Sequence, residues 1–185
     1  MGAKPSRALP VLATVSLALA VAGCGPGAVA TTAPHSVGSF QEFFATWCPA
    51  MQGMLRAIGN PDSGSDSELS KALDAAIVEA NPAAVGQVTA QIRQELFTAR
   101  QLAASAATWP QGAEMATQMG RLFSAFDAGI EAKRAAASQG LEAASSQQQA
   151  AFEMAGGPAA WTDMIAAARS IPEMGRADSP SCPGV

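Results

Sequence analysis

At 185 residues, 49% hydrophobic and only 14% charged, the chain suggests one domain with enough apolar material for a core. The formal charge is −4, and removing the two cations of the N-terminal segment leaves nine basic and fifteen acidic residues, net −6, which argues against nucleic acid or anionic lipid head groups as partners, because both demand clustered Lys and Arg. Tyrosine is absent and aromatics reach only 5%, while Ala, Gln, Ser and Met fill the middle of the chain, so the expected fold class is all-α.

Residues 1–7 carry Lys4 and Arg7, and residues 8–22 are almost wholly apolar, the charged-then-greasy order of a secretory signal. The apolar run is short of the roughly 20 residues that a spanning helix needs. It ends in Val21-Ala22-Gly23-Cys24, which resembles the lipobox of bacterial lipoproteins: an aliphatic residue, two small residues and a cysteine. The resemblance implies that Cys24 receives diacylglyceryl and further acyl chains such as palmitate, and that a peptidase removes residues 1–23. It further implies that the mature chain is held by lipid to the extracytoplasmic face of the cell membrane. Small residues admit a peptidase to the backbone, and each buried methylene contributes about 0.8 kcal/mol to anchoring. The alternative is an ordinary secretory signal with a chance cysteine. The start Met1-Gly2-Ala3-Lys4-Pro5-Ser6 also fits an N-myristoylation pattern, an accidental match given the export segment behind it. In its Ala-rich composition the whole chain resembles the small helical lipoproteins common in high-GC actinobacteria.

Residues 24–38 follow as a lipidated tether, rich in Gly, Pro, Thr and Ser and without apolar period. It contains the sole histidine, His35, which is expected to be solvated. The domain spans residues 39–185. Ser39 and Glu42 fit a capping box, and Phe40, Phe43, Phe44, Trp47, Met51, Met54, Leu55 and Ile58 recur at helical spacing, with Pro49 expected to kink or split the helix. Turn chemistry fills residues 59–66, and Leu69, Leu73, Ile77 and Ala80 mark a short second helix. Asn81-Pro82 opens a third, lined by Val85, Val88, Ile92, Leu96, Leu102 and Ala106. Trp109-Pro110 breaks that stripe. A fourth helix bears Met115, Met119, Leu122, Phe123, Phe126 and Ile130 and is expected to continue past Gly140 to Met154. Gly156-Gly157-Pro158 ends it, and Trp161, Met164, Ile165 and Ala168 give a last short helix before a tail rich in Pro, Gly and Ser. Four to five antiparallel helices with short connections predict a bundle.

With Cys24 lipidated, Cys48 and Cys182 remain in a chain that leaves the reducing cytoplasm, so a disulfide closing almost the whole domain is expected. The alternatives are two free thiols or a redox pair. The familiar hydrolase, zinc-protease, phosphate-loop and dinucleotide motifs are missing, and the one histidine lies in the tether, so no enzyme, catalytic residue, metal or cofactor is expected. Asp127 with Glu131, and Glu131 with Glu142, read as solvated helix faces. Met51 with Met54 and Met115 with Met119 stack on helix faces and could hold Cu(I), but they sit on the core stripes, where Met is a common filler. Asn60, Asp62, Asp66 and Glu68 resemble a calcium loop only faintly, since Gly64 and Pro61 depart from its pattern. The expected function is a non-enzymatic, membrane-anchored bundle that meets a protein partner or supports the envelope. The rival is a carrier for a lipid, metal or other small ligand, with Phe43, Phe44, Phe123 and Phe126 lining its cleft.

Overall fold

A computed structural model describes residues 38–60, 64–175 and 182. The signal segment, Cys24, His35, Asp62 and the tail residues other than Cys182 beyond position 175 lie outside the described residues.

Side-chain caps start the first three helices. The Ser39 hydroxyl accepts from the Glu42 N–H at 3.3 Å, and the Glu42 carboxylate accepts from the Gly38 N–H at 2.7 Å, so the capping box opens α1 (Phe40–Ile58). Pro49 neither splits this helix nor shortens it. Its missing donor would serve the carbonyl of Ala45, and both residues are exposed, where water satisfies the freed group. The Ser67 hydroxyl accepts from the Ser70 N–H at 2.9 Å to cap α2 (Glu68–Val78), and donates to the Ala57 carbonyl at 3.0 Å, fastening the start of α2 to the end of α1. Asn81 caps α3 (Pro82–Ala106) by accepting from the Ala84 N–H at 3.1 Å, with Pro82 in the first turn.

The fourth apolar stripe does not continue through Gly140. Helix α4 (Ala113–Ala136) ends in a 3-10 turn over Ala137–Gln139, Gly140 takes φ +95°, and α5 (Leu141–Met154) turns back along α4. A left-handed glycine is cheap and reverses the chain. Gly156, at φ +78°, then admits α6 (Gly157–Arg169), and a second 3-10 turn, Pro172–Gly175, follows. The described residues therefore hold six α-helices rather than four or five, and no strand.

Contacts fix the helix directions. Phe43 meets Trp109 with ring centroids 4.9 Å apart, a Cβ on Gly53 would lie 3.1 Å from the Cβ of Ala99, and Arg56 binds Glu95 at 3.0 Å, so α1 runs antiparallel to α3. The start of α1 thus faces the end of α3. Helix α2 continues in the direction of α1 along the N-terminal half of α3. Helix α4 runs antiparallel to α3, joined by Arg93 to Asp127 at 2.6 Å, and α5 antiparallel to α4, with Phe152 stacked on Phe126 at 4.7 Å. The stripes predicted for α1, α3 and α4 supply most of the core: Phe43, Met54, Ile92, Leu96, Met115, Met119, Leu122, Phe123 and Ile130 are all buried. Ala50, Ala99, Ala103 and Ala125 between them let the helices approach closely. Among the described residues no helix is long and apolar enough to cross a membrane.

Candidate functional site

The four phenylalanines proposed as ligand lining are engaged with the protein itself. Phe43 is 0% and Phe123 1% exposed, both inside the core. Phe44 packs on Phe40 and Trp47 at 5.8 and 5.9 Å, and Phe126 stacks on Phe152. The four methionines Met51, Met54, Met115 and Met119 are likewise buried core residues. Cys48, in α1, is bonded to Cys182 with a Cα separation of 5.5 Å, bringing position 182 beside the first helix.

Of the calcium-like residues, Asn60 exchanges backbone hydrogen bonds with Ser65, and Glu68 binds Lys71 at 2.8 Å. That hydrogen bond holds the Glu68 carboxyl below its usual range. Among the described residues, no group of three His, Cys, Asp or Glu stands close enough to hold a metal ion. The carboxylates read as solvated prove partly engaged: Asp127 and Glu131 both bind Arg93 across the α3–α4 seam, and Glu131 also binds Arg134. The hydrogen bond from Arg134 lowers the Glu131 carboxyl below its ordinary value against a smaller opposing effect of burial.

Two clefts lie toward the end of the molecule where α3 begins. The first, of about 450 Å³, is formed where the α2–α3 corner meets the turn after α4, and is lined by Ala76, Ile77, Val78, Ala80, Pro82, Val85 and Ala137 with Asn81, Ser138 and Gly140. It is mainly apolar, and Val78 at its edge is 68% exposed. Ala80 reverses the chain there at φ +51°, a left-handed conformation that costs a residue with a Cβ about 1 kcal/mol or more.

The second cleft, of about 410 Å³, lies between α2, α4 and α5 and is lined by Asp66, Asp74, Lys133, Ser145, Gln148 and Gln149, with Phe126, Gly129 and Phe152. At its base the ammonium of Lys133 stands 2.5 Å from Asp74. The Lys133 side chain is only 7% exposed, against 33% for Asp74. The approach lacks the angles of a directed hydrogen bond, so charge holds the pair together. The pair was not legible as a site in the sequence. Its one signal is position: Lys133 stands three residues beyond Ile130 on the stripe Met119, Leu122, Phe126, Ile130, which places a cation on the buried face.

A third, shallower groove between α3 and α4 is bordered by Arg93, Arg100 and Asp127. No family model matches the chain, no curated protein is similar to it, and no solved structure matches its fold.

Proposed function

We propose that the protein is an extracytoplasmic lipoprotein, cut before Cys24 and held to the membrane by lipid on that residue, whose helical bundle meets a protein partner or supports the envelope without catalysing a reaction. One geometric observation carries this reading beyond the signal and lipobox. The chain enters the bundle at the start of α1, beside Trp109 at the end of α3, whereas the apolar corner lies at the start of α3. Helix α3 has 25 residues, so the two points stand about 37 Å apart at 1.5 Å per residue. A partner can therefore cover the apolar corner without meeting the point where the chain enters the bundle. The packing of Phe43, Phe44, Phe123 and Phe126 against the protein itself supports an interaction module over a carrier whose cleft they would line.

The carrier remains the second reading, because the corner cleft falls within the size of pockets that take small apolar ligands, about 300–1,000 Å³. Expression in a lipoprotein-processing bacterial host tests the anchor. The wild-type chain should enter the detergent phase with acyl mass on an N-terminal Cys24, and Cys24→Ala should stay aqueous. Equal partitioning of both, or a mature N-terminus elsewhere, refutes anchoring. Crosslinking on intact cells should capture a partner that Val78→Glu loses. A co-purifying lipid displaced by the same substitution would favour the carrier.

A further inference from the structure

The polar cleft around Lys133 has the chemistry of a ligand site rather than of a structural ion pair alone. Burying a lysine is costly, and a pair such as Lys133–Asp74 stabilises little over apolar residues of the same volume. Tying α2 to α4 therefore explains its presence poorly. Nor is the pair packed over: it opens into the cleft of about 410 Å³. Ser145 and the half-buried Gln148 line that space, and neither side chain makes a hydrogen bond among the described residues. Gly129 sets the width, since a Cβ there would stand 3.1 Å from the Gln148 carbonyl oxygen.

The charges define what can fit. A simple anion drawn to Lys133 would meet Asp74 and Asp66, and a simple cation drawn to the carboxylates would meet the ammonium. What satisfies all of them is a neutral molecule whose groups both donate and accept. Its hydroxyls would accept from Lys133 and from the Gln148 amide, and donate to the Asp74 carboxylate and the Gln148 carbonyl. The Phe126–Phe152 pair gives one wall an apolar face for C–H groups.

We infer that the α2–α4–α5 cleft binds a neutral, hydroxyl-rich small molecule of the saccharide class, with Lys133, Asp74 and Gln148 as its principal hydrogen-bonding contacts. The inference is independent of lipid on Cys24 and of any partner at the apolar corner, so either can fail without the other.

The test is amide NMR on the protein purified from an exporting host, titrated with glucose, galactose, xylose and maltose, and in parallel with glycine betaine, inorganic phosphate and calcium chloride. At least one sugar should give saturable shifts centred on Ser145, Gln148 and Gln149. Lys133→Met should weaken that binding at least tenfold, and Gln148→Leu, which keeps the ion pair, should do the same should the lysine variant fold poorly. Gln94→Ala, in the separate α3–α4 groove, should leave it unchanged. The inference is overturned by no saturable shift with any of the four sugars, by tighter binding of betaine, phosphate or calcium at these residues, or by sugar binding indifferent to both cleft substitutions.

Discussion

Removing either member of the Lys133–Asp74 pair should have unequal consequences, because the two are unequally buried. Asp74→Asn leaves an ammonium with a 7% exposed side chain and no counter-charge at ion-pair distance among the described residues. Orphaning one partner of a fully buried pair costs about 3–5 kcal/mol. Here the cleft admits some water, so a loss of about 2–3 kcal/mol is expected. Lys133→Met keeps the volume, removes the buried charge, and leaves Asp74, which is 33% exposed, to be solvated; the change should stay within about 1 kcal/mol of wild type, in either direction. The double variant should recover most of what Asp74→Asn loses. Urea unfolding followed by far-ultraviolet circular dichroism measures this directly. At an m-value of about 2 kcal/mol per M, Asp74→Asn should lower the midpoint by about 1–1.5 M, with Lys133→Met shifting it by less than about 0.5 M. A Lys133→Met midpoint as low as that of Asp74→Asn, or a double variant worse than both, would refute the claim that the buried charge is the cost.

Other outcomes follow from single contacts. A Cβ at Gly112 would lie 2.3 Å from the Phe43 ring and 2.7 Å from that of Trp109, both buried, so Gly112→Ala should lose about 1–3 kcal/mol, read as a lower thermal midpoint. The Cys48–Cys182 bond spans 134 residues, and in the chain-entropy model its loss in Cys48→Ser/Cys182→Ser costs up to about 5 kcal/mol; a double variant as stable as the oxidised protein would show that the bond constrains nothing. The Glu131 carboxyl has a folded pKa below its unfolded one, so its contribution is present above the ordinary carboxylate value and fades as the pH falls through the depressed one. It is exposed enough that Glu131→Gln should remove only about 0.5 kcal/mol at pH 7, and nothing once the pH lies below both values.

Helix content and the core stripes were legible because α1 and α3 carry both a start signal and a period, and α4 carries the period. Ser39 with Glu42, and Asn81 with Pro82, cap where their chemistry predicts. Ser67 was a missed cap: its hydroxyl is committed twice, to the Ser70 N–H and to the Ala57 carbonyl of another helix, and only the latter bond accounts for its burial. Gly140 was misread for a related reason. A glycine in a helical pattern costs only about 1 kcal/mol, so nothing local marks it as a reversal rather than a tolerated flaw. The choice is made by packing, since turning there lays Phe152 on Phe126 and buries Ala144 against the core.

The site was harder to read than the fold because periodicity reports which face is buried and not what meets it. Phe43, Phe44, Phe123 and Phe126 recur as a ligand lining would, yet Phe43 turns inward to Trp109 and Phe126 pairs with Phe152. Lys133 poses the inverse problem. Its place on the α4 stripe makes it a core position, while its chemistry excludes it from a core without a partner. That partner, Asp74, is 59 residues earlier on α2, and no spacing rule links the two. A charged residue in register with an apolar stripe is therefore the useful signal: it implies a counter-charge on another helix, and it places a polar opening where that helix pair fails to close. In this fold the opening falls where α5, reversed at Gly140, comes within reach of α2, so the same glycine whose role the sequence concealed also builds the cleft that Lys133 occupies.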